Sequence, residues 1–139
     1  MNDIVANIYE LWGLEYFGDF SKYMYRADLY SSVFLVMFIS SIIILFIYYR
    51  PLDHIQLAKK WIWALIVLAL GLICSLAAYN IAVTGIDDYL FQNNIKQTQI
   101  KNSDFMTFSC IVFGWTVLLS FIWSVLFKYF SINSRKIPF

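Results

Sequence analysis

The most chemically capable side chains in this sequence are the adjacent carboxylates Asp87 and Asp88, which follow Asn80 and Thr84 at the polar end of an apolar run. Carboxylates at the mouth of a symmetric oligomer are one means by which cation channels select ions. An amide or hydroxyl near the end of a membrane helix can line a narrow path or hydrogen-bond to another helix. These four residues form a candidate pore or pore-mouth site, for which a solvated helix end and turn is the simpler alternative.

Residues that bind metals or act as nucleophiles are few. The chain has one histidine, His54, in a polar loop, and its two cysteines, Cys74 and Cys110, both fall inside apolar runs. A histidine outside the apolar runs cannot supply the axial ligand of a membrane-embedded haem. A thiol surrounded by lipid behaves as a small hydrophobic group. We therefore predict no catalytic residue, no metal site and no cofactor.

Three apolar runs must position any site, and they cover Leu29–Tyr49, Trp61–Val83 and Phe105–Phe127. A helix of this length is about 31–34 Å long, enough to cross the bilayer core of about 30 Å. No Asp, Glu, Lys, Arg or His lies inside a run away from its ends. Proton pumps, ion-coupled transporters and intramembrane hydrolases place such groups at depth, so an enzyme or transporter is the least favoured class.

Composition agrees with a membrane protein, because 61% of the 139 residues are hydrophobic and only 14% are charged. We predict an all-α integral membrane protein with three transmembrane helices preceded by a short amphipathic N-terminal helix. The connecting segments are too short for a second globular core, so a single three-span domain is expected. Its parts are an amphipathic segment 1–28, span 1 at 29–49, a helix 54–83 containing span 2, an outer loop 84–104, span 3 at 105–130 and a basic tail 131–139.

Two local patterns predict where the second and third long helices begin. Pro51 cannot continue the first long helix, and Asp53 with Gln56 three residues later forms a capping-box pattern, so the second long helix is predicted to begin near His54. Ser103 or Asp104 can cap the third.

The N-terminal segment is predicted to form an amphipathic helix over residues 3–17. Ile4, Ile8, Leu11 and Trp12 recur at helical spacing, and the polar positions between them include carboxylates. Interfacial helices that meet anionic lipid usually carry Lys and Arg on the polar face. The acidic face therefore favours docking of these four residues on a partner protein over a position in the lipid interface.

Small residues recur every three or four positions on the second and third runs. The predicted helix-packing residues are Gly71, Ser75 and Ala78 on the second run and Cys110, Gly114, Ser120 and Ser124 on the third. No hydrophobic force drives helices together inside a membrane, so close backbone approach through small residues is a main source of association. We expect these two helices to pack tightly together or against copies in an oligomer.

Charge predicts the orientation. Six of the ten cations lie in the loop after the first run or follow the third run, whereas segments 1–28 and 84–104 hold eight of the nine acids. The positive-inside rule then places the N-terminus outside and the C-terminus in the cytoplasm, with Tyr48 and Tyr49 at headgroup depth. The acidic start is unlike a cleaved signal peptide, which favours a bacterial inner membrane. Without a basic patch, nucleic acid is not expected as a partner.

Two functional hypotheses lead. The first is a non-enzymatic subunit or anchor that assembles with itself or with other proteins in an envelope complex. The second is an oligomeric ion channel or membrane-permeabilising effector whose pore is polar but uncharged. Both hypotheses place the protein in the lipid bilayer. They differ in what the exposed faces of its helices contact.

Overall fold

A computed structural model of the chain describes residues 2–10, 18–50, 59–95 and 100–130. These residues form five α-helices and no strand: α1 (Asn2–Glu10), α2 (Asp19–Arg26), α3 (Leu29–Tyr49), α4 (Lys60–Gln92) and α5 (Asn102–Phe127), with a 3-10 turn at Lys128–Phe130. The helices α3, α4 and α5 are long and apolar enough to cross a membrane. The predicted all-helical class and its three candidate spans are thus confirmed.

The N-terminal segment contains two described helices where the sequence predicted one. The helix α1 ends at Glu10, and the remainder of the predicted helix, including Leu11 and Trp12, lies outside the described residues. The second helix, α2, was not expected. It starts after Gly18, whose φ of 52° lies in the left-handed region that glycine adopts without steric cost.

The helix α4 corrects the predicted outer loop 84–104, because it continues nine residues beyond Val83 to Gln92. Hydropathy falls after Val83, but Ile86 is buried and Leu90 is partly buried, so the packed face persists at helical spacing. The helix ends where Asn94 takes a φ of 52°, and the Ile95 N–H donates to the Leu90 carbonyl at 3.1 Å. This is the Schellman arrangement, which Asn tolerates.

The start of α4 lies at Lys60, and Lys59 is not helical. The predicted start near His54 and the Asp53 cap lie outside the described residues, as does the basic tail 131–139. Neither Ser103 nor Asp104 is the N-cap as predicted, because α5 begins at Asn102; Asp104 is its third residue and accepts a 3.2 Å hydrogen bond from the Lys101 backbone N–H, which is the reach-back half of a capping box. The helix begins three residues before the predicted boundary at 105.

The described residues divide between two compact units. Unit 1 comprises Met1–Val36 and Ser75–Val112, and unit 2 comprises Met37–Cys74 and Phe113–Phe139. The core of unit 1 is rich in aromatic rings. Phe20 contacts Phe105 and Phe108 with ring centroids 5.2 and 5.8 Å apart, and Tyr30 meets Phe108 at 5.9 Å.

The core of unit 2 is built differently. One cluster joins Leu45, Tyr48, Tyr49 and Val67. The two tyrosines are almost completely buried and face the core of the unit, and their predicted depth at the lipid headgroups stays a prediction. Their rings pack inwards because consecutive residues at the end of α3 both find partners in this cluster, while Phe46 and Ile47 take the exposed positions.

Candidate functional site

The exposed face of α4 changes character along its length. It is apolar from Trp61 to Leu76, where its exposed residues recur every three or four positions: Trp61, Leu65, Leu68, Leu72 and Leu76. It is then polar through Asn80, Thr84, Asp87 and Asp88, all exposed. The four predicted pore or pore-mouth residues therefore share one helix face. The exposed face of α4 changes from apolar to polar between Leu76 and Asn80.

Two kinds of polar group make up this end of α4. The Thr84 hydroxyl donates to the Asn80 carbonyl at 2.8 Å, so its proton is used within the helix. Asp87 and Asp88 are exposed, and within the described part of the chain no hydrogen bond or ion pair engages either carboxylate. These two charges are available to groups from outside the chain.

A cavity of about 260 Å³ adjoins the same stretch, inside unit 1. Its walls include Tyr79, Ile86, Asp87 and Leu90 of α4, and Asn102 and Phe105 of α5. Tyr79 and Phe105 meet edge to face at 6.1 Å, and Ile86 and Phe105 are buried, so these wall residues are held by the unit's core. The sequence carries no signal for this cavity, because it depends on the unexpected extension of α4 to Gln92.

The hydroxyls of unit 2 point inwards. Ser41, Thr116, Ser120 and Ser124 are all completely buried. Ser41 donates to the Met37 carbonyl and Ser120 to the Thr116 carbonyl, each at 2.7 Å, as expected for hydroxyls in membrane helices. They are therefore satisfied within their own helices and are unavailable to the outer surface.

One buried hydroxyl joins three helices. The Trp63 indole N–H donates to Ser124 Oγ at 2.8 Å, and the Tyr49 hydroxyl shares a hydrogen bond with the same serine. These residues lie on α4, α5 and α3 respectively. The sequence analysis assigned Ser124 to close helix packing but missed this hydrogen bonding, because the spacing of small residues gives no information on their polar partners.

All three predicted packing residues of α4 are buried or partly buried. A Cβ on Gly71 would lie 2.8 Å from the Phe113 ring of α5, which shows how closely these helices approach there. Ala78 is buried, and Ser75 is partly buried. Gly85 is a further close contact that was not predicted, because a Cβ there would meet a methyl carbon of Leu29 on α3. A lone glycine inside an apolar helix was the available signal.

The predicted packing residues of α5 are less uniform. Ser120 and Ser124 are buried, and Gly114 is partly buried, whereas Cys110 is exposed. Cys110 therefore does not lie in the buried core of unit 1, and contact with another copy stays a prediction.

The predicted partner-binding face of α1 is divided. Ile4 is 68% exposed and Ile8 is partly buried. Their neighbour Tyr9 packs on its own chain, with ring centroids 5.8 Å from Tyr30 and 5.4 Å from Phe108. The helix thus docks on unit 1, a use that the sequence analysis did not consider, and leaves Ile4 free for contacts outside the chain.

A hydrogen bond ties α1 to α2 at the surface of unit 1. The Tyr25 hydroxyl donates to Asp3 Oδ1. This hydrogen bond, and then the negative charge of Asp3, raise the pKa of Tyr25 above its ordinary value of 10.0, because both favour the neutral phenol.

Among the described residues no group of three His, Cys, Asp or Glu side chains could hold a metal ion. Comparisons with protein-family models, with curated proteins and with solved structures found no match.

Proposed function

We propose that this chain is a non-enzymatic multi-pass membrane subunit or anchor that assembles with itself, with partner proteins, or with both, in an envelope complex. One observation carries the proposal, which is the way unit 2 distributes polarity. From Met37 to Tyr49, Trp61 to Cys74 and Phe113 to Phe127, every exposed side chain is apolar. Four hydroxyl-bearing residues of the same segments are completely buried: Ser41, Thr116, Ser120 and Ser124.

This distribution suits contact with lipid tails or with other apolar helices. In hydrocarbon a polar group must find its partner inside the protein, and an apolar side chain loses nothing by facing outwards. A subunit or anchor needs only this exterior within the membrane. Its specific contacts can then lie elsewhere, and Ile4, the polar end of α4 and Phe91, which is 86% exposed, offer them.

The charges support the proposed address in a bacterial inner membrane, with the N-terminus outside and the C-terminus in the cytoplasm. Arg50, Lys60 and Lys128 lie at the ends of α3, α4 and α5 that this orientation places in the cytoplasm. Asp28, Asp88 and Asp104 lie near the opposite ends. The positive-inside rule concerns such charges next to spans.

The second candidate is an oligomeric channel or membrane-permeabilising effector. It is favoured by the common exposed face of Asn80, Thr84, Asp87 and Asp88. A water-filled path through the membrane also needs polar groups deeper than this end. The exposed face of α4 from Trp61 to Leu76 is apolar, which weighs against an aqueous pore built on α4.

Native mass spectrometry of the protein extracted in mild detergent, with identification of every chain that accompanies it, tests the proposal. A defined hetero-complex, or a small homo-oligomer that conducts no ions, supports it. A pure homo-oligomer of four or more copies that releases a trapped ion from liposomes contradicts it. In that case Asp87→Asn and Asp88→Asn should alter the ion selectivity of the flux, because they remove the only charges on the polar face of α4.

A further inference from the structure

We propose that the cavity of unit 1 binds an ammonium group carried on a short apolar chain, with Asp87 as its counter-ion. The cation could be a free alkylamine or the amine headgroup of a lipid. This inference concerns unit 1 alone and does not rest on the proposed function.

The shape and composition of the cavity define the ligand class. At about 30 Å³ of liquid volume per water molecule, a space of this size corresponds to about eight or nine waters, enough for a small alkylamine. Ile86, Leu90 and Phe105 supply apolar walls, and Asp87 is the only charged side chain among the described residues that line the space. A ligand that satisfies both features has an apolar part and a single positive charge.

Within the described residues, the charge of Asp87 is not compensated. No described residue pairs with its carboxylate, and none of the described lining residues is a cation. Asn102 and Tyr79 add side chains that can hydrogen-bond to an ammonium group. An anion or a neutral alcohol of the same size would lack the attraction to Asp87, so charge should decide which ligands bind.

The position of the cavity on α4 allows either source of the cation. The residues of α4 that line the cavity extend from Tyr79 to Leu90. Tyr79 lies where the exposed face of the helix changes from apolar to polar. If that change marks the edge of the hydrocarbon core, lipid headgroups and soluble amines can both reach this level. The shared chemistry is the ammonium group.

The chain provides a matched control. Asp88 has the same charge and is also exposed, but it does not line the cavity. Asp87→Asn and Asp88→Asn therefore make the same change in net charge at adjacent positions, and only the first touches the proposed site. Both positions are on the helix surface, so neither variant should disturb folding, and their melting temperatures provide the check.

The experiment is a titration of the full-length protein in mild detergent with n-butylammonium, followed by saturation-transfer NMR. n-Butanol and butyrate serve as neutral and anionic probes. We expect saturable binding of butylammonium alone, weakened about fivefold by Asp87→Asn and unchanged by Asp88→Asn, since a partly exposed ion pair contributes about that factor. Equal weakening by both variants, equal binding of butanol, or no saturation would each overturn the site.

Nanodiscs distinguish the two sources. Butylammonium binding is compared between phosphatidylethanolamine and phosphatidylglycerol nanodiscs. If the wild type binds more weakly in phosphatidylethanolamine and Asp87→Asn shows no such difference, the lipid headgroup is the occupant. Equal binding in both would identify a soluble amine, since the headgroup then does not compete. Either result supports the ammonium site, provided that Asp87→Asn weakens the binding of butylammonium.

Discussion

Unit 2 buries hydroxyls and exposes apolar side chains, whereas unit 1 buries aromatic rings and exposes carboxylates. Thr116, Ser120 and Ser124 are completely buried in unit 2. In unit 1, Phe20 and Phe108 form the core while Asp87 and Asp88 are exposed. The first pattern suits an apolar solvent and the second suits water. The comparison teaches that one short chain can combine an apolar surface over buried hydroxyls with a surface that carries carboxylates over an aromatic core.

The two units also differ in charge. The sequence of unit 1 contains eight acidic and four basic residues, and that of unit 2 contains one acidic and six basic residues. The near-neutral total of +1 conceals this asymmetry. An acidic unit with a polar surface attracts cations and basic partners, whereas the cations of unit 2 follow the positive-inside rule.

The largest expected effect concerns the close helix contact of unit 2. Gly71→Ala should lower the free energy of unfolding by about 1–2 kcal/mol, because the new methyl group would lie 2.8 Å from the Phe113 ring and must displace it. Gly85→Ala in unit 1 is the matched variant. Both variants gain about 1 kcal/mol of helix propensity, so the neighbour decides the difference: the methyl at Gly85 meets the end of the flexible Leu29 side chain, which can change rotamer, and we expect a smaller loss there than at Gly71.

Chemical unfolding in mild detergent measures both free energies. If Gly85→Ala lowers the free energy of unfolding as much as Gly71→Ala does, or more, then the contact at Gly71 in unit 2 adapts to a methyl group at least as easily as the contact at Gly85 in unit 1.

Removal of the buried hydroxyl that joins three helices should have the next effect. Ser124→Ala leaves the Trp63 indole N–H and the Tyr49 hydroxyl without this partner and should cost about 1 kcal/mol. Ser109→Ala in unit 1 is the control, because the Ser109 hydroxyl bonds only within its own helix, to the Phe105 carbonyl at 2.8 Å.

The two serine variants are compared by unfolding free energy in the same detergent, with fluorescence of a Trp63-only protein as the local probe. If both variants lose equal stability, the hydroxyl of Ser124 has no special role in unit 2.

The smallest effect belongs to the surface of unit 1. The folded-state pKa of Tyr25 is raised above 10.0, so the Tyr25 hydrogen bond to Asp3 contributes stability that is fully present below pH 10 and is lost as pH rises through the raised pKa. Tyr25→Phe should abolish this pH dependence and slightly increase proteolysis of α1 near neutral pH.

An absorbance titration of tyrosinate follows the first effect, and mass spectrometry of the cleavage products follows the second. An unchanged titration in Tyr25→Phe would mean that another tyrosine carries the high-pH transition.

The sequence predicts the three long helices well, because hydropathy reports directly on their apolar surfaces. It fails where a helix continues with a polar exposed face, as from Thr84 to Gln92, since packing of Ile86 and Leu90 maintains the helix there. The Asn93–Asn94 pair was an available stop signal, because Asn tolerates the left-handed conformation that ends α4.

The site was predictable in part. The spacing of Asn80, Thr84 and Asp87 suits one helix face, because three to four residues make one turn, but the sequence analysis assigned 84–104 to a loop and did not predict this face. It cannot decide whether an aromatic residue packs inwards, as Tyr48 and Tyr49 do. The cavity beside Asp87 depends on contacts between α4 and α5, and these are set by tertiary packing and not by local sequence.

The central claim is that the exposed face of α4 passes from lipid to water between Leu76 and Asn80. Spin labels at Leu72, Leu76, Thr84 and Asp88, each exposed, test it in liposomes, in a protein that carries Cys74→Ala and Cys110→Ala. We expect collisions with oxygen to dominate at Leu72 and Leu76, and collisions with a water-soluble nickel complex to dominate at Thr84 and Asp88. Access of the nickel complex to Leu72 and Leu76 would contradict the account and indicate a water-filled path along α4.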